Sequence, residues 1–540
     1  MLKRYFHTLR SLRAQQFYYR LYYALKKPRV PAPLSLTPRA WPKAWSAPRS
    51  MPCELSEAGV FCALGEAGSI DDPSIWHSTT HSTLWIYHLH YFDAINAHSA
   101  NESSVPMAHY FDQWLRHNPP LKGHGWDPYP LSLRIVNWII CFARNTIPPH
   151  ARWLDSLAQQ AQVLMQRLEY HLLANHLFAN GKALVFMGAY FSGDQADRWL
   201  KKGLQILDQE MKEQFLPDGG HFELSPMYHA RMMNDVCDLV HLAEVTQHPW
   251  LTQRASSWSA IIQKGLAWMS CMVHPDGEIA FFNDAALGMA PTFLDLCDYA
   301  HDLHVPLSLP KTEALTTLKE SGYTVVNLPH RSRAILDVAP IGPRYQPGHG
   351  HADLLSFEWS VHGQRWIVNS GISCYGVSAQ RLFQRGTSAH STVCVDGKNS
   401  SDVWSGFRVG QRATPKDFMQ TQTDEHIKIS CAHQGYGALT HRRTWDFSAQ
   451  DLLIVDELVG PYTQAVARFY FHPDVEMIQT HEHQWEGRLS GGEAVSIKVL
   501  GAQRSQLEAS NWYPRFGQSI PNQCLVIQFC GGVLQTLMRY

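Results

Sequence analysis

The hydrophobic period of this chain changes once, near residue 320, and that change limits the folds open to it. From about 75 to 305, apolar residues recur at three and four spacing. Leu131–Ala143, Ala151–Leu173, Ala196–Phe215 and Met227–Val245 show it, with Pro, Gly or Asp at the breaks. Beyond the change, Tyr323–Val326, Arg333–Val338, Leu354–Val361, Arg365–Val368, Asp451–Leu458, Ala465–Phe471, Ala494–Leu500 and Cys524–Phe529 read as strands. His362-Gly363-Gln364 reads as a hairpin turn between two of them. Helices first and strands afterwards argue for an all-α unit followed by an antiparallel β unit, with a boundary near 305–320. Consecutive long helices of this kind pair into a bundle, toroid or solenoid, and no strict repeat is visible. A junction between two such units is a common place for a ligand cleft.

A chain of 540 residues is too long for one core. Its formal net charge of −1 gives no global reason to expect nucleic-acid binding. Eleven cysteines, an odd number with no CxxC pair, argue against a disulfide framework or zinc ribbon and favour a reducing compartment. Residues 1–53 contain no acid, and Lys3, Arg4, Arg10, Arg13, Arg20, Lys26, Lys27 and Arg29 interleave with Tyr, Phe and Leu. Residues 30–53, rich in Pro and Ser, read as an extended linker or wrap. The expected parts are therefore a basic arm and linker over 1–53, a helical part over 54–310 and a β part over 311–540. No signal-peptide core and no 18-residue apolar span is present, so the expectation is a cytoplasmic protein. The arm is expected to pack on the rest of the protein; contact of residues 1–30 with an anionic inner-membrane surface is the second reading, and an organelle transit peptide the third.

Three clusters carry chemistry. The first is Asn175-His176, at a junction between helical runs, where Asn can donate to a carboxylate and His can exchange a proton, or where both simply cap a helix. The second is Pro217-Asp218-Gly219-Gly220-His221-Phe222-Glu223-Leu224-Ser225-Pro226-Met227-Tyr228: a turn, then a helix opening at Ser-Pro. Tyr228 falls in its first turn, where the helix dipole favours an anionic phenol, although a buried core tyrosine is the plainer alternative. The third is Gly348-His349-Gly350-His351-Ala352-Asp353, followed by Asn369-Ser370-Gly371 and by Thr387-Ser388-Ala389-His390-Ser391-Thr392. If the HxH begins a strand, both imidazoles share one face. His351, Asn369 and His390, on successive β segments, then form either a divalent-metal site or a polar layer without metal.

Taken together, these clusters resemble the heparinase II/III-like family of polysaccharide lyases, with its related alginate lyases and uronyl C5-epimerases. The resemblance runs from Leu84-Trp85-Ile86-Tyr87-His88-Leu89-His90-Tyr91-Phe92-Asp93 to the C-terminal strands. It implies an N-terminal (α/α) toroid followed by a C-terminal antiparallel β-sandwich. It also implies that Asn175 and His176 neutralise a substrate carboxylate, that Tyr228 is a general acid/base and that His349 is its partner. By the same resemblance His351, position 369 and His390 hold a divalent metal such as Zn or Mn; the family has Asp where this chain has the weaker ligand Asn369, and Asp353 can compensate. Arg385, Tyr375 and Arg408 are candidate substrate contacts.

The reaction shared by these enzymes removes the C5 proton of a uronic acid within a polysaccharide. The anion forms only where donors or cations offset the carboxylate charge. Loss of the C4 oxygen then gives a lyase, and reprotonation from the opposite face gives a C5-epimerase; the lyase is the first expectation. A glycoside hydrolase using Asp218 and Glu223 is a further alternative. So is a polysaccharide binder that has lost catalysis.

Overall fold

The computed structural model describes residues 2–46, 53–97, 104–309 and 312–540. Helices Thr83–Tyr91, Ser104–His117, Pro128–Ala143, Ala151–Gln166, Ala174–Tyr190, Asp194–Gln214, Pro226–Thr246, Pro249–Cys271 and Phe293–Asp302 form the (α/α) toroid. Pro128–Ala143 and Ala174–Tyr190 are buried around most of their circumference, which places them inside it. Asp194–Gln214 lies outside, with a polar outer face. Gly188 and Gly203 let the helices Ala174–Tyr190 and Asp194–Gln214 touch backbone to backbone; a Cβ on either would strike main-chain atoms of the partner.

The expected helix Ala151–Leu173 ends early, at Gln166. Residues 167–173 instead form turns, and Leu173 and Ala174 take positive φ values of 68° and 52°. This local backbone, not apolar spacing, sets where Asn175 begins its helix. A small sheet of Cys53–Leu55, Val60–Ala63 and Glu66–Ser69 precedes the toroid and was not legible in the sequence. Residues 30–46 of the Pro-rich stretch lie along the helices, where Arg39 and Trp45 backbone N–H groups donate to Tyr190 and Ala143 carbonyls and Trp45 is buried; residues 47–52 lie outside the described residues.

Two antiparallel sheets make the β-sandwich. One runs in the order Arg504–Trp512, Ile520–Phe529, Ala465–Phe471, Gln364–Val368, Phe357–Val361, Ser332–Asp337, Tyr323–Leu328 and Leu315–Leu318, with Val393–Val395 also pairing with Ala465–Phe471. The other runs Lys416–Gln422, Ile427–Tyr436, Leu439–Phe447, Asp451–Val459, Val533–Arg539, Ala494–Leu500, Gln484–Arg488 and Glu476–His481. Asp451–Val459 alternates buried and half-buried along its length, as a strand with one face in the core should. Phe357–Val361 is buried on both faces, because the first sheet is covered by the second on one side and by the helices on the other. Trp359, Trp366, Trp445 and Trp485 fill the space between the sheets. The many tryptophans are thus chiefly core, as their size favours.

The arm forms two helices, Leu2–Leu9 and Ala14–Leu25, docked on both halves. Arg4 pairs with Asp402 and Arg13 with Glu213. The Arg13 guanidinium also lies 3.7 Å from the centre of the Tyr345 ring. All eleven cysteines are free thiols. Among the described residues no helix is long and apolar enough to cross a membrane.

Candidate active site

Two helix starts and three loops converge. Ser225 caps the helix Pro226–Thr246, its hydroxyl accepting from the Tyr228 N–H at 3.2 Å, with Pro226 in the first turn as expected. Asn175 and His176 sit in the first turn of Ala174–Tyr190 rather than capping it; Leu173 is the cap residue. Leu224 and Asn283 carry positive φ values of 60° and 57°, and with Leu173 and Ala174 they put four non-glycine residues of this backbone class around one site. Such conformations cost about 1–3 kcal/mol each and persist where the surroundings hold them.

The expectation that the HxH lies on a strand is corrected. His349 and His351 are in a loop before Phe357–Val361, and they converge because each grips one oxygen of a single carboxylate. His349 Nδ1 is 2.8 Å from Asp284 Oδ2, and His351 Nε2 is 2.8 Å from Asp284 Oδ1. Arg381 closes the cluster with both terminal nitrogens on Asp284. Burial alone would raise the Asp284 pKa, but the Arg381 charge and the hydrogen bonds from His349, His351 and Arg381 hold it well below the usual carboxylate range. Asp284 and Arg381 escaped the sequence reading. A single Asp inside the apolar run Ala280–Ala286 was the only signal for the first.

Tyr228 stacks against His349, with ring centroids 3.9 Å apart, and its hydroxyl is 2.8 Å from that of Tyr375. The expected anionic phenol is corrected: burial, then the neighbouring Tyr375 and Asp284, push the Tyr228 pKa well above its ordinary value. The dipole of one helix turn does not offset full desolvation, so Tyr228 is a neutral proton donor in the resting site.

His176 Nδ1 is 3.0 Å from Glu169 Oε1, and its ring lies 4.6 Å from that of Tyr129. Burial opposes its charged form, but the Glu169 carboxylate, its hydrogen bond and the more distant Glu223 outweigh this and raise the pKa. Asn175 Oδ1 is buried without a partner. Glu223 is buried, its Oε2 lies 3.8 Å from His349 Nε2, and neither of its oxygens has a side-chain hydrogen bond. Burial raises its pKa, against the opposing pull of His349 and His176. The other carboxylate of the hydrolase alternative, Asp218, is spent on the Ser321 N–H and hydroxyl at 2.8 and 2.9 Å and on the Gly220 N–H, so it holds a turn.

Two more expectations change. Arg385 is fully buried, and its guanidinium donates to the carbonyls of Gly350 and Gly406, so it braces the HxH loop instead of facing a ligand. Asn369 is also buried: its amide donates to Phe281 O at 3.0 Å and accepts from Ser391 N–H at 3.1 Å, so it pins the strand end. Nor do the three expected ligands lie on successive strands. Asn369 follows Gln364–Val368, while His351 and His390 are in loops. Tyr375 is half-buried beside Tyr228, and Arg408 is exposed over Trp404.

The group that could hold a metal is His351, Asp353 and His390, with ligating atoms within 4.8 Å of one another. His390 Nδ1 donates to the Gly386 carbonyl at 2.8 Å, and His351 Nε2 donates to Asp284, which fixes both tautomers. The bare His351 Nδ1 and His390 Nε2 then face each other at 3.1 Å. Burial pushes the His351 pKa down to about 4 and lowers that of His390, so no proton shared between them relieves the opposed lone pairs. A divalent cation fits this donor set. Burial and the neighbouring Asp353 push the Asp337 carboxyl well above the usual range.

Comparison with known proteins agrees with this architecture. The family model described as heparinase II/III N-terminus matches residues 101–300, and that described as heparinase II/III-like, C-terminal, matches residues 310–532. The chain is 26% identical over 336 residues to a heparin-sulfate lyase of Bacteroides stercoris, covering 58% of this chain and 48% of that protein. It is 21% identical over 398 residues to one from Bacteroides thetaiotaomicron, covering 65% and 55%. The chain thus spans about half the length of the curated relatives it matches. A crystal structure of heparinase III superposes with a TM-score of 0.67 at 17% identity, covering 84% of this chain and 75% of that one. The heparan sulfate lyase HepC of Pedobacter heparinus does so with a TM-score of 0.58 at 16% identity, covering 97% and 87%. With both halves of the family matched in order, and with the toroid and sandwich in place, the chain belongs to the heparinase II/III-like family.

Proposed function

We propose that this protein is a polysaccharide lyase, cleaving a uronic-acid-containing polysaccharide by C5 proton abstraction and loss of the C4 oxygen. The observation that carries this reading is the contact of the Tyr228 phenol with the His349 imidazole. A proton donor and a proton acceptor lie side by side, which suits removing one group and protonating its neighbour. His176, with its raised pKa, and Asn175 take the substrate carboxylate and stabilise the charge that develops at C5. His349 accepts the C5 proton, and Tyr228 delivers its own to the departing O4. Tyr375 steadies the phenol through its hydroxyl. Glu223 and Asp284 flank the His349 ring, with carboxylate oxygens 3.8 Å from Nε2 and 2.8 Å from Nδ1. Relatives named heparin-sulfate lyase support a glycosaminoglycan as the substrate class.

His351, Asp353 and His390 would hold a divalent cation, Zn or Mn, whose bound charge would tie the HxH loop to the loop that carries His390. The division into an arm over 1–53, a toroid over 54–310 and a sandwich over 311–540 belongs to the same reading. So does contact of residues 1–30 with an anionic membrane surface. Phe6, Phe17, Tyr18, Leu21 and Leu25 on the arm are exposed, and Lys26, Lys27 and Arg29 follow them.

The test is incubation of heparosan, heparan sulfate, chondroitin and alginate with the protein in D2O, read by NMR. Unsaturated uronate with shortening chains is the expected result. Deuterium at C5 in chains of unchanged length would replace the lyase by an epimerase, and new reducing ends without unsaturation would replace it by a hydrolase.

A further inference from the structure

The loop that delivers His349 has a second face. Pro340–Arg344, at its start, faces the arm helix Leu2–Leu9 across a cavity, while Gly342 also lies near the Glu223 carbonyl. Between them, and against the segment after Arg408–Val409, lies a cavity of about 740 Å³. That is the size of pockets that hold small organic ligands. Lys3 and His7 come from the arm helix, Arg10 from the turn after it, Arg344 from the loop and Arg412 from the segment beyond. No carboxylate is among the lining residues.

The acids nearby are already taken. Asp402 is held by Arg4, and Glu213 by Arg13, so the arm is anchored by two of its basic residues while others are turned into the cavity. Among the described residues, none of Lys3, Arg10, Arg344 and Arg412 has a carboxylate partner. Arg412 Nε and His7 Nδ1 are buried without any hydrogen-bond partner. Burial, then Arg344 and Arg10, push the Arg412 pKa down to about 10. Like charges gathered at a partly buried site disfavour the folded chain unless something negative joins them. Arg412 is half-buried at the cavity wall, and Lys3, Arg10 and Arg344 are exposed around its mouth.

We infer that this cavity is a second binding site, separate from the catalytic cluster, for an anionic saccharide: a sulfate- or carboxylate-bearing stretch of the polysaccharide. The inference rests on the substrate class of the lyase reading. The Arg344 and Arg412 guanidiniums offer planar forks that match sulfate and carboxylate oxygens, and Lys3 and Arg10 supply charge at the rim. Because the loop lining the cavity continues into His349, a chain held here lies close to the cleft and raises the local concentration of cleavable bonds.

The test uses the full-length protein and a heparin-derived octasaccharide, with affinity measured calorimetrically at low salt. The double variant Arg344→Ala/Arg412→Ala should weaken binding about tenfold or more, and should flatten its salt dependence. A second double variant, Lys3→Ala/Arg10→Ala, changes exposed arm residues and keeps the question open should the first fail to fold. KM for polymer should rise in both, with kcat on a tetrasaccharide unchanged. Octasaccharide affinity equal to that of the unaltered protein in a folded double variant would overturn the inference, whether or not the protein is a lyase. Binding that is sensitive to these variants, without any unsaturated product, would leave the cavity standing and remove the lyase reading. Loss of binding to phosphatidylglycerol vesicles with octasaccharide affinity retained would assign the cavity to a lipid headgroup and overturn the saccharide.

Discussion

Tyr228 lies against His349 with ring centroids 3.9 Å apart and planes inclined by 32°. Removing the phenol hydroxyl leaves that stacking intact and deletes only the transferable proton. Tyr228→Phe is expected to lower kcat by roughly 10²–10⁴-fold while octasaccharide affinity stays within about twofold. Unsaturated product formation and calorimetric binding, measured on the same preparation, check the two halves of this statement.

His176 gives the pH dependence. Its folded-state pKa is raised above the ordinary 6.5 by Glu169, so the imidazolium persists to higher pH than a free histidine. Its contribution to stability is fully present below 6.5 and is lost as pH rises through the raised value. Activity that needs this cation should fall over the same window. Glu169→Gln should move the alkaline limb of kcat/KM to lower pH. NMR titration of the His176 ring protons should move with it, and an unmoved limb would remove His176 from the carboxylate site.

The Asp284–Arg381 pair is wholly buried. Asp284→Asn leaves Arg381 charged with no compensating carboxylate and should destabilise the protein by about 3–5 kcal/mol. Urea unfolding measures this. Replacing Arg381 as well, Asp284→Asn/Arg381→Met, should recover part of the loss, because no isolated charge then remains inside.

For the His351–Asp353–His390 cluster, added Zn or Mn should raise the unfolding temperature and chelator should lower it. A cation held at a hundred times its Kd adds about 3 kcal/mol. His390→Ala and Asp353→Asn should each abolish the response to added metal, while Asn369→Ala should keep it. Calorimetric scans with and without metal distinguish these variants.

The exposed apolar residues of the arm should matter only at a surface. Phe17→Ser/Leu21→Ser/Leu25→Ser should leave turnover of a short oligosaccharide unchanged and abolish co-sedimentation with phosphatidylglycerol vesicles. Unchanged co-sedimentation would confine the arm to its own protein body.

The architecture was legible because helix and strand periods differ, and the change of period near 320 is not blurred by mixed segments. The helix start at Ser225-Pro226 was legible for the same kind of reason: cap and proline are local signals. What escaped was non-local. His349 and His351 meet through Asp284, more than sixty positions earlier in the chain, and nothing within the HxH says that a carboxylate will arrive there. Arg385 looked like a substrate contact because an arginine near a motif carries no mark of its burial. Asn369 could be given a ligand's place by resemblance, but only the carbonyls and N–H groups around it reveal a structural amide.

The anchoring of the arm has a bearing on how the chain is made. Arg4 meets Asp402 across 398 positions of sequence, and Arg13 meets Glu213 across 200. During synthesis the arm leaves the ribosome ahead of both halves, and its docking surfaces are incomplete until Glu213 and Asp402 have followed. At ordinary translation rates that delay is on the order of half a minute. Throughout it, a basic segment rich in tyrosine and leucine stays undocked, open to a chaperone or to the ribosome's own acidic RNA. A segment translated ahead of both halves is thus among the last to settle, and its docking reports that both halves beneath it have already folded.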